Sequence, residues 1–481
     1  MGNIQNDFAK SSKWSLLTEV VSKLLPPVVN MILARLLTPE AFGLVATITM
    51  VTSFADIFAD AGVQKYLIQH HFESDEELDK ATNVAFWFNL SIASIFWLLI
   101  FVFRNQIAFT VGSPGLGLGI SVASAAIPIT AFSSIQMARF RRAMDFKTLF
   151  FVKVATLFIP LFVTVPLAFA LRSYWAIIIG NLVVSVFNSV ALIFRSVWKP
   201  SFYFEWKGLK TMVRFSFWTF LEQLLGWANL NVGIFIVGVY LSEYYLGLYK
   251  TSIAYVNQIM WIIPNALFFV LISAISKMQV EKEDFRPFYY QFNEKVCMVI
   301  APLGIGIIVF RDLFTYILLG SQWYEAASFI GLWAGMYALR TMFGIFNNSI
   351  FISCGKPQYS VLEQLLSFAV LVPVLLICAP KGYETLYTAR SFVVLWVVFV
   401  NLVLLRIFLN MSPIKIVKDA LPYMLVAAAM GAVGFTMLQV SAGIVWQFFA
   451  VFVCVIVYFS LICVFPRTRA VLMGFIKKNK A

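Results

Sequence analysis

The feature that most limits the fold of this chain is a series of continuous apolar runs, each roughly 20 residues long. A run of that length spans the hydrocarbon core of a bilayer as a helix, whereas the strands of a membrane barrel alternate over about 10 residues. Hydrophobic residues make up 61% of the chain and charged residues only 12%, about half the charged share of a soluble domain. The sequence therefore predicts an all-α integral membrane protein.

About fourteen such runs can be counted along the chain, separated by short loops. The predicted helices span residues 14–37, 42–68, 85–103, 116–137, 149–171, 175–194, 215–241, 245–275, 292–310, 326–352, 361–378, 386–408, 420–440 and 443–465. The first run carries no small-residue cleavage site, so we expect a retained helix and not a cleaved signal peptide.

Lysine and arginine residues are distributed unevenly between the loops on the two sides of these helices. With the N-terminus inside, roughly 24 of them lie in cytoplasmic loops and roughly 7 lie outside. Because cytoplasmic loops are enriched in positive charge, both termini are predicted to be cytoplasmic. The net charge of +13 follows the same distribution, so it does not indicate nucleic-acid binding.

An internal repeat relates the first predicted helix to the seventh. The segment that starts at Trp14 matches the segment that starts at Trp218, an offset of 204 residues, and Gly43 falls on Gly247 at the same offset. The offset spans an even number of helices, so both copies insert with the same orientation. The sequence therefore predicts a parallel duplication, related by an axis along the membrane normal.

This duplication divides the chain into two predicted lobes of six helices. The first lobe is expected at residues 10–194, a cytoplasmic linker at 195–214 and the second lobe at 215–408. Residues 409–481 then provide two accessory helices and a basic cytoplasmic tail. Two lobes with a cavity between them are typical of an alternating-access transporter.

Four short segments carry a likeness to a known family. They are the run ILARLLTPEAFGLVA at residues 32–46 and the shorter segments 60–62, 142–147 and 247–249. Together they resemble the polysaccharide transporter family, the O-antigen and exopolysaccharide flippases of the multidrug/oligosaccharidyl-lipid/polysaccharide superfamily. The likeness covers roughly residues 10–410, and the accessory pair fits the usual helix number of that family.

The resemblance implies a function that the residues alone do not specify. Members of the family carry undecaprenyl-pyrophosphate-linked oligosaccharides from the cytoplasmic to the outer leaflet of the bacterial inner membrane, for the biosynthesis of surface polysaccharides such as lipopolysaccharide. Other polysaccharide-assembly proteins are expected as partners. The resemblance specifies neither the sugar nor a coupling ion.

Charged residues inside the predicted helices are candidates for a substrate-binding cavity, because a charge in hydrocarbon needs a cavity or a partner. Glu19 and Lys23 lie one turn apart, and they either form a structural ion pair or line the cavity, where Lys23 would meet the pyrophosphate. Arg35 either receives the pyrophosphate late in transit or extends to the outer headgroups. Arg340, in the middle of the tenth helix without an acidic residue one turn away, is the strongest candidate for binding a phosphate.

Two further sets of polar residues lie on the second and seventh predicted helices. Asp56 and Asp60 are one turn apart and are candidates for binding a coupling ion, although Asp60 alternatively caps the helix end or pairs with a lysine. Glu222, Asn229 and Asn231 place polar groups on the repeat mate of the first helix. Asn229 and Asn231 cannot share one helix face, so at most one of them is expected to point into a cavity.

The sequence contains no motif for a catalytic centre, a metal or a cofactor. The sequence has no G-x-x-x-x-G-K-[ST] loop, which would bind ATP phosphates. This does not exclude a separate ATPase as a partner. The five cysteines have no C-x-x-C spacing, and the only histidines, His70 and His71, lie in an acidic loop that is expected to be solvated. We therefore predict no catalytic residue, no metal site and no cofactor.

Two other functions stay open from the residues. An ion-coupled drug exporter of the same superfamily would be favoured by twelve helices and acid-lined lobes, whereas the count here is higher and the membrane charges include cations. A membrane polymerase, ligase or glycosyltransferase acting on the same lipid carrier usually needs a large outer loop with acid, base or metal ligands. The outer loops here are short, with Asp312 and Glu325 as their obvious carboxylates.

Overall fold

A computed structural model of the chain describes residues 14, 18, 21–22, 25–60, 63–354, 356, 358–464, 468–469, 471 and 473. These residues are 87% helical and contain no strand. The prediction of an all-α fold is therefore confirmed.

The chain divides into two compact units, Met1–Gly247 and Leu248–Ala481. The helices of the first unit are α1 (Leu25–Leu36), α2 (Pro39–Asp60), α3 (Val63–Gln69), α4 (Asp75–Val102), α5 (Arg104–Thr110), α6 (Gly117–Ser124), α7 (Ala126–Arg142), α8 (Phe146–Phe162), α9 (Thr164–Leu171), α10 (Trp175–Arg195) and α11 (Trp206–Tyr240). Helix α11 packs against α2 and belongs to the first unit. In the sequence repeat, by contrast, the second lobe begins with the predicted helix at residues 215–241, which corresponds to α11. The predicted lobe boundaries stay a prediction.

The second unit starts within α12, which runs from Glu243 to Met260. Its helices are α12 (Glu243–Met260), α13 (Ile262–Val280), α14 (Arg286–Val309), α15 (Arg311–Leu318), α16 (Ala326–Phe343), α17 (Asn347–Ser353), α18 (Gln358–Cys378), α19 (Tyr383–Leu409), α20 (Pro413–Val440) and α21 (Ile444–Val464). The accessory helix α20 packs along α14, and a Cβ added at Gly431 would lie 2.5 Å from Ile305. One face of α20 is therefore part of the core of this unit.

Twelve stretches of helix among the described residues are long and apolar enough to cross a membrane. They correspond to the predicted helices except the first and the eighth. Only Leu25–Leu36 of the first is described as a continuous helix, and the eighth includes α12, which carries Glu243, Lys250, Asn257 and Gln258 within 18 residues. The count of fourteen is therefore not confirmed.

Several predicted helices are interrupted where the sequence suggests one continuous run. The fifth breaks at Val163, three residues before Pro166, because proline cannot donate to the carbonyl four residues earlier, that of Phe162, and its ring displaces the preceding turn. The tenth breaks between Phe343 and Asn347. There the amides of both Gly344 and Ile345 donate to the Arg340 carbonyl, at 2.9 and 3.0 Å, which closes the end of α16.

The two helices that start furthest ahead of the predicted apolar runs are α4 and α11. The third predicted helix was expected at residue 85, but α4 begins at Asp75, where Ser74 Oγ accepts from the Glu77 amide at 3.2 Å. The Glu77 carboxylate in turn accepts from the Glu73 amide at 2.7 Å, which stabilises a polar first turn outside the apolar run. Likewise α11 begins at Trp206 and not at residue 215.

The segment 142–147, one of those that resemble the family, forms a junction between three helices of the first unit. Arg142 Nη1 donates to the carbonyls of Leu67 and His70 at 2.8 and 2.7 Å, which caps the C-terminal end of α3. Asp145 accepts from the Thr148 amide at 3.1 Å and caps the N-terminal end of α8. These residue types therefore have a structural role in the turn.

We expect Arg142→Leu to lower the free energy of unfolding by about 1–3 kcal/mol, the cost of leaving partly buried carbonyls without a donor. Arg141→Leu is the matched control, because Arg141 is the neighbouring, exposed residue. Thermal unfolding in detergent compares the two variants. Equal midpoints for both would contradict the capping role of Arg142.

The first residues of the predicted linker pack against the first unit. Asn83 Oδ1 accepts from the Ser201 amide at 2.8 Å, and Trp87 Nε1 donates to the Ser201 carbonyl at 2.8 Å. Trp198 is buried in a core cluster with residues of α3, α4, α7 and α11. The chain between α10 and α11 therefore has a defined path.

Candidate functional site

Several residues predicted to line the cavity cannot be placed by their side chains. Glu19 and Lys23 lie outside the described residues, and so do the side chains of Glu222 and Asp60. Arg35 is described and lies exposed in the last turn of α1. The proposed roles of these residues stay predictions.

A stripe of polar side chains runs along one exposed face of α2 in the first unit. Thr49, Thr52 and Asp56 recur at the spacing of neighbours on one helix face, and Thr49 and Asp56 are exposed. The Thr49 hydroxyl donates to the Val45 carbonyl at 2.7 Å, which leaves the lone pairs of its oxygen as acceptors. An exposed polar stripe within a membrane span needs water beside it, so this face of α2 is suited to a water-filled cavity.

On α11, the two asparagines predicted as cavity residues form hydrogen bonds to the backbone of their own helix. Asn229 Nδ2 donates to the Leu225 carbonyl at 3.2 Å and Asn231 Nδ2 to the Trp227 carbonyl at 3.0 Å. Trp227 Nε1 donates to Ser53 Oγ on α2 at 3.0 Å. The two asparagines of α11 thus lie next to Trp227, which joins this helix to α2 through Ser53.

Arg340 occupies the last turn of α16 in the second unit, inside a membrane span that covers Ala326–Phe351. Its guanidinium carbon lies 5.8 Å from the centre of the Tyr337 ring. Among the residues that the structure describes, no carboxylate lies within ion-pair distance of Arg340. A half-buried guanidinium of this kind retains donors for an anion.

Arg390 is a second intramembrane cation that the sequence argument missed. It lies on α19, which packs against α16, and its guanidinium carbon is 4.7 Å from the centre of the Trp333 ring. The Trp333 Nε1 donates to Asn257 Oδ1 at 2.9 Å, and this tryptophan is only 1% exposed. No ion pair to Arg390 occurs within the described part of the chain either.

The aromatic residues around these arginines form a packed ladder. Phe329 stacks on Tyr249 at 5.6 Å and on Tyr387 at 5.2 Å between ring centres, and Trp333 contacts Tyr337 at 5.9 Å. All five rings are buried, so they support the helices and the guanidiniums and offer no free face for a sugar. In the described ranges, no three His, Cys, Asp or Glu side chains are placed to hold a metal ion.

The comparison with protein families decides the class of this membrane protein. The sequence model of the family described as "Polysaccharide biosynthesis protein" matches residues 32–328, more than half of the chain. The chain belongs to this family. The resemblance carried by segments such as 32–46 is thereby confirmed.

Relatives of this polysaccharide biosynthesis protein have names from the same field. The succinoglycan biosynthesis transport protein ExoT of Rhizobium meliloti is 25% identical over 322 residues, which cover 67% of this chain and 64% of ExoT, just under two thirds of its length. The teichuronic acid biosynthesis protein TuaB of Bacillus subtilis is 20% identical over 447 residues, 90% of each chain. A Klebsiella pneumoniae membrane protein from a cps region is 23% identical over 373 residues, 76% of this chain and 75% of the relative.

Solved structures show the fold that this polysaccharide biosynthesis protein shares. The lipid II flippase MurJ in an inward closed conformation superposes with a TM-score of 0.76 at 16% identity, covering 94% of this chain and 98% of MurJ. An inward-facing multidrug resistance MATE transporter superposes with a TM-score of 0.62 at 14% identity, covering 82% and 95%. The protein is therefore a multi-span membrane protein that shares the all-helical fold of these two structures.

Proposed function

We propose that this polysaccharide biosynthesis protein moves an undecaprenyl-pyrophosphate-linked oligosaccharide from the inner to the outer leaflet by alternating access. The observation that carries the proposal is the pair Arg340 and Arg390, two guanidiniums inside membrane spans with no carboxylate at ion-pair distance among the described residues. A guanidinium in a site of low dielectric binds phosphate oxygens through paired, charge-assisted hydrogen bonds. A pyrophosphate would supply the negatively charged partner that neither arginine has among the described residues.

The rest of the substrate has a different requirement, because a polyprenyl tail is stable in hydrocarbon and the sugars are not. The second unit contains an apolar groove of about 760 Å³ between α14, α15, α20 and α21. Its walls include Pro302, Gly306, Phe310, Phe314, Val451 and Phe459. An apolar groove in the same unit as the two arginines would accept a lipid chain while the pyrophosphate stays at the guanidiniums.

The first unit has a polar surface of its own that is suited to contact sugars. The stripe of Thr49, Thr52 and Asp56 supports this role, with Asp56 and Asp60 as candidates for a coupling ion. The remaining cavity candidates are Glu19, Lys23, Arg35, Glu222, Asn229 and Asn231. We place the protein in a bacterial inner membrane with both termini in the cytoplasm, where other polysaccharide-assembly proteins would supply and receive the substrate.

The test is to reconstitute the purified protein in liposomes that carry a fluorescent undecaprenyl-pyrophosphate oligosaccharide in one leaflet. We expect the protein to raise the rate at which the label reaches the other leaflet far above that of protein-free liposomes. If no lipid moves under a proton or sodium gradient while a cationic drug is extruded, the drug-exporter alternative replaces the flippase.

A further inference from the structure

A chain of buried hydrogen bonds in the second unit ends at a carboxylate that the sequence argument did not consider. Tyr289 on α14 donates to Asn347 Oδ1 on α17 at 3.5 Å, and Asn347 Nδ2 donates to Asn401 Oδ1 on α19 at 2.9 Å. Asn401 Nδ2 donates to Glu363 Oε1 on α18 at 3.3 Å. The Ser367 hydroxyl donates to the same oxygen at 3.3 Å.

This network is closed off from solvent along most of its length. Tyr289 and Asn347 are each 1% exposed and Asn401 is 4% exposed. Glu363 lies on the face of α18 that packs against α19, within the membrane span Gln358–Lys381. An ionised carboxylate in such a place is costly unless a cation or a proton neutralises it.

No cation pairs with Glu363 in the part of the chain that the structure describes. The nearest charged groups on neighbouring elements contact other residues. Lys356, which precedes α18, donates to the Phe408 carbonyl at 3.4 Å, and Arg390 packs on Trp333. The other titratable residues on or beside the packed elements are Cys354, Tyr359, Cys378, Lys381, Tyr383, Glu384, Tyr387 and Arg406, while Asn347–Ser353 of α17 contains none.

The polar groups around Glu363 favour a proton over a metal cation as its ligand. Both side chains that reach the carboxylate, Asn401 and Ser367, do so as donors. A sodium or calcium ion needs several oxygen ligands turned toward it, whereas these two groups present hydrogen atoms. A proton needs only the carboxylate oxygen itself.

Two more buried polar atoms lie on the helices that carry Tyr289 and Asn347. Asn293 Oδ1, one turn along α14 from Tyr289, has no hydrogen-bond partner among the described residues, and neither does Ser349 Oγ on α17. Both residues are buried, at 3% and 0% exposed. Asn293 therefore lies near the Tyr289 end of the network, whereas Ser349 is two residues from Asn347 and lies on a different face of α17.

We propose that Glu363 is a proton-binding site and that its proton is the coupling ion of transport. The ionised carboxylate accepts from Ser367 on its own helix and from Asn401 on α19, and the bond from Asn401 ties α18 to α19. Uptake of one proton from water forms an O–H bond on Glu363 and removes the charge, which weakens both hydrogen bonds. Release of the proton restores them. The proposal that Glu363 binds a proton does not depend on the proposed flippase function. The proposal that this proton drives transport does rest on that function.

The proton site can be tested without any transport. Infrared difference spectra of the purified protein in lipid, recorded across a pH titration, report the C=O stretch of protonated carboxylic acids. We expect a titrating band in wild type and in the control Glu384→Gln, an exposed carboxylate of the same unit, and loss of that band in Glu363→Gln. Ser367→Ala, which retains the carboxylate, is expected to move the pH midpoint of the band. A band unchanged in Glu363→Gln would overturn the site.

The coupling role is tested in the liposome assay with an imposed pH gradient. Wild type and Glu384→Gln should transfer the lipid faster with the gradient, whereas Glu363→Gln should transfer it at the same rate with and without. A gradient response retained in Glu363→Gln would overturn coupling through this residue. If wild type moves no lipid at all, the flippase proposal fails, and the infrared result still decides the proton site.

Discussion

Gly247→Ala and Gly43→Ala are each expected to reduce folded protein severely, because these two glycines allow a close crossing between the start of α2 and the start of α12. A Cβ added at Gly247 would lie 1.8 Å from the Pro39 carbonyl oxygen, and one added at Gly43 would lie 2.0 Å from the Glu243 carbonyl oxygen. Overpacking usually costs about 1–3 kcal/mol. Here the obstacle is backbone on both sides, so we expect a loss at or above that range, measured as folded yield and thermal midpoint in detergent.

Gly306→Ala and Gly226→Ala are the matched controls for this prediction. A Cβ at either position would have no atom within 4 Å, and each residue lies inside a helix, where alanine is the better helix former. These variants should be as stable as wild type or slightly more so. A Gly247→Ala protein with the thermal midpoint of Gly306→Ala would show that the two helix starts are further apart than the structure places them.

The contact between Gly43 and Gly247 shows which part of the structure the sequence repeat could predict and which part it could not. The offset of 204 residues pairs Gly43 with Gly247, and a Cβ at Gly43 would lie 3.1 Å from the Gly247 amide nitrogen. The repeat predicted two equivalent turns, and the helices after them start at Pro39 and Glu243. Sequence matching cannot show that the equivalent glycines touch each other, because a match between two segments contains no distance between them.

Helix positions were predictable to the extent that hydropathy alone decides them. The runs that became α10, α19 and α21 are predominantly apolar, and the structure has them within a few residues of the prediction. The early start of α4 was missed because its first turns are polar and are stabilised by the Ser74 cap. The breaks at Val163 and Gly344 were missed because they interrupt backbone hydrogen bonds without interrupting the apolar composition.

The candidate site was only half predictable for a related reason. Arg340 was found because it lies far from either end of its predicted helix, where a charge needs an explanation. Arg390 and Glu363 lie close to the ends of their predicted helices, so a sequence argument assigns them to the headgroup region. Their significance depends on neighbours from other helices, Trp333 for Arg390 and Asn401 for Glu363, which periodicity cannot identify.

Arg340→Ala is expected to slow transfer of the undecaprenyl-pyrophosphate oligosaccharide by roughly 10- to 100-fold. This range corresponds to the loss of a hydrogen bond to a charged group, about 1.5–3 kcal/mol. Arg390→Ala should have an effect of the same order if both guanidiniums meet one pyrophosphate. Arg406→Ala is the matched control, because Arg406 lies on the same helix as Arg390 but is exposed near its C-terminal end. The measurement is the initial transfer rate in liposomes, at equal amounts of folded protein.

The double variant separates a shared pyrophosphate site from two independent effects. If Arg340 and Arg390 bind the same anion, their losses are coupled, and the double variant differs from the product of the two single effects. Arg340→Lys should recover only part of the rate, because an ammonium keeps the charge but not the paired donors of a guanidinium. A wild-type rate in Arg340→Ala would move the anion site away from α16, and the groups left to bind the pyrophosphate would then be Arg390 on α19 and Lys23 and Arg35 of the first unit.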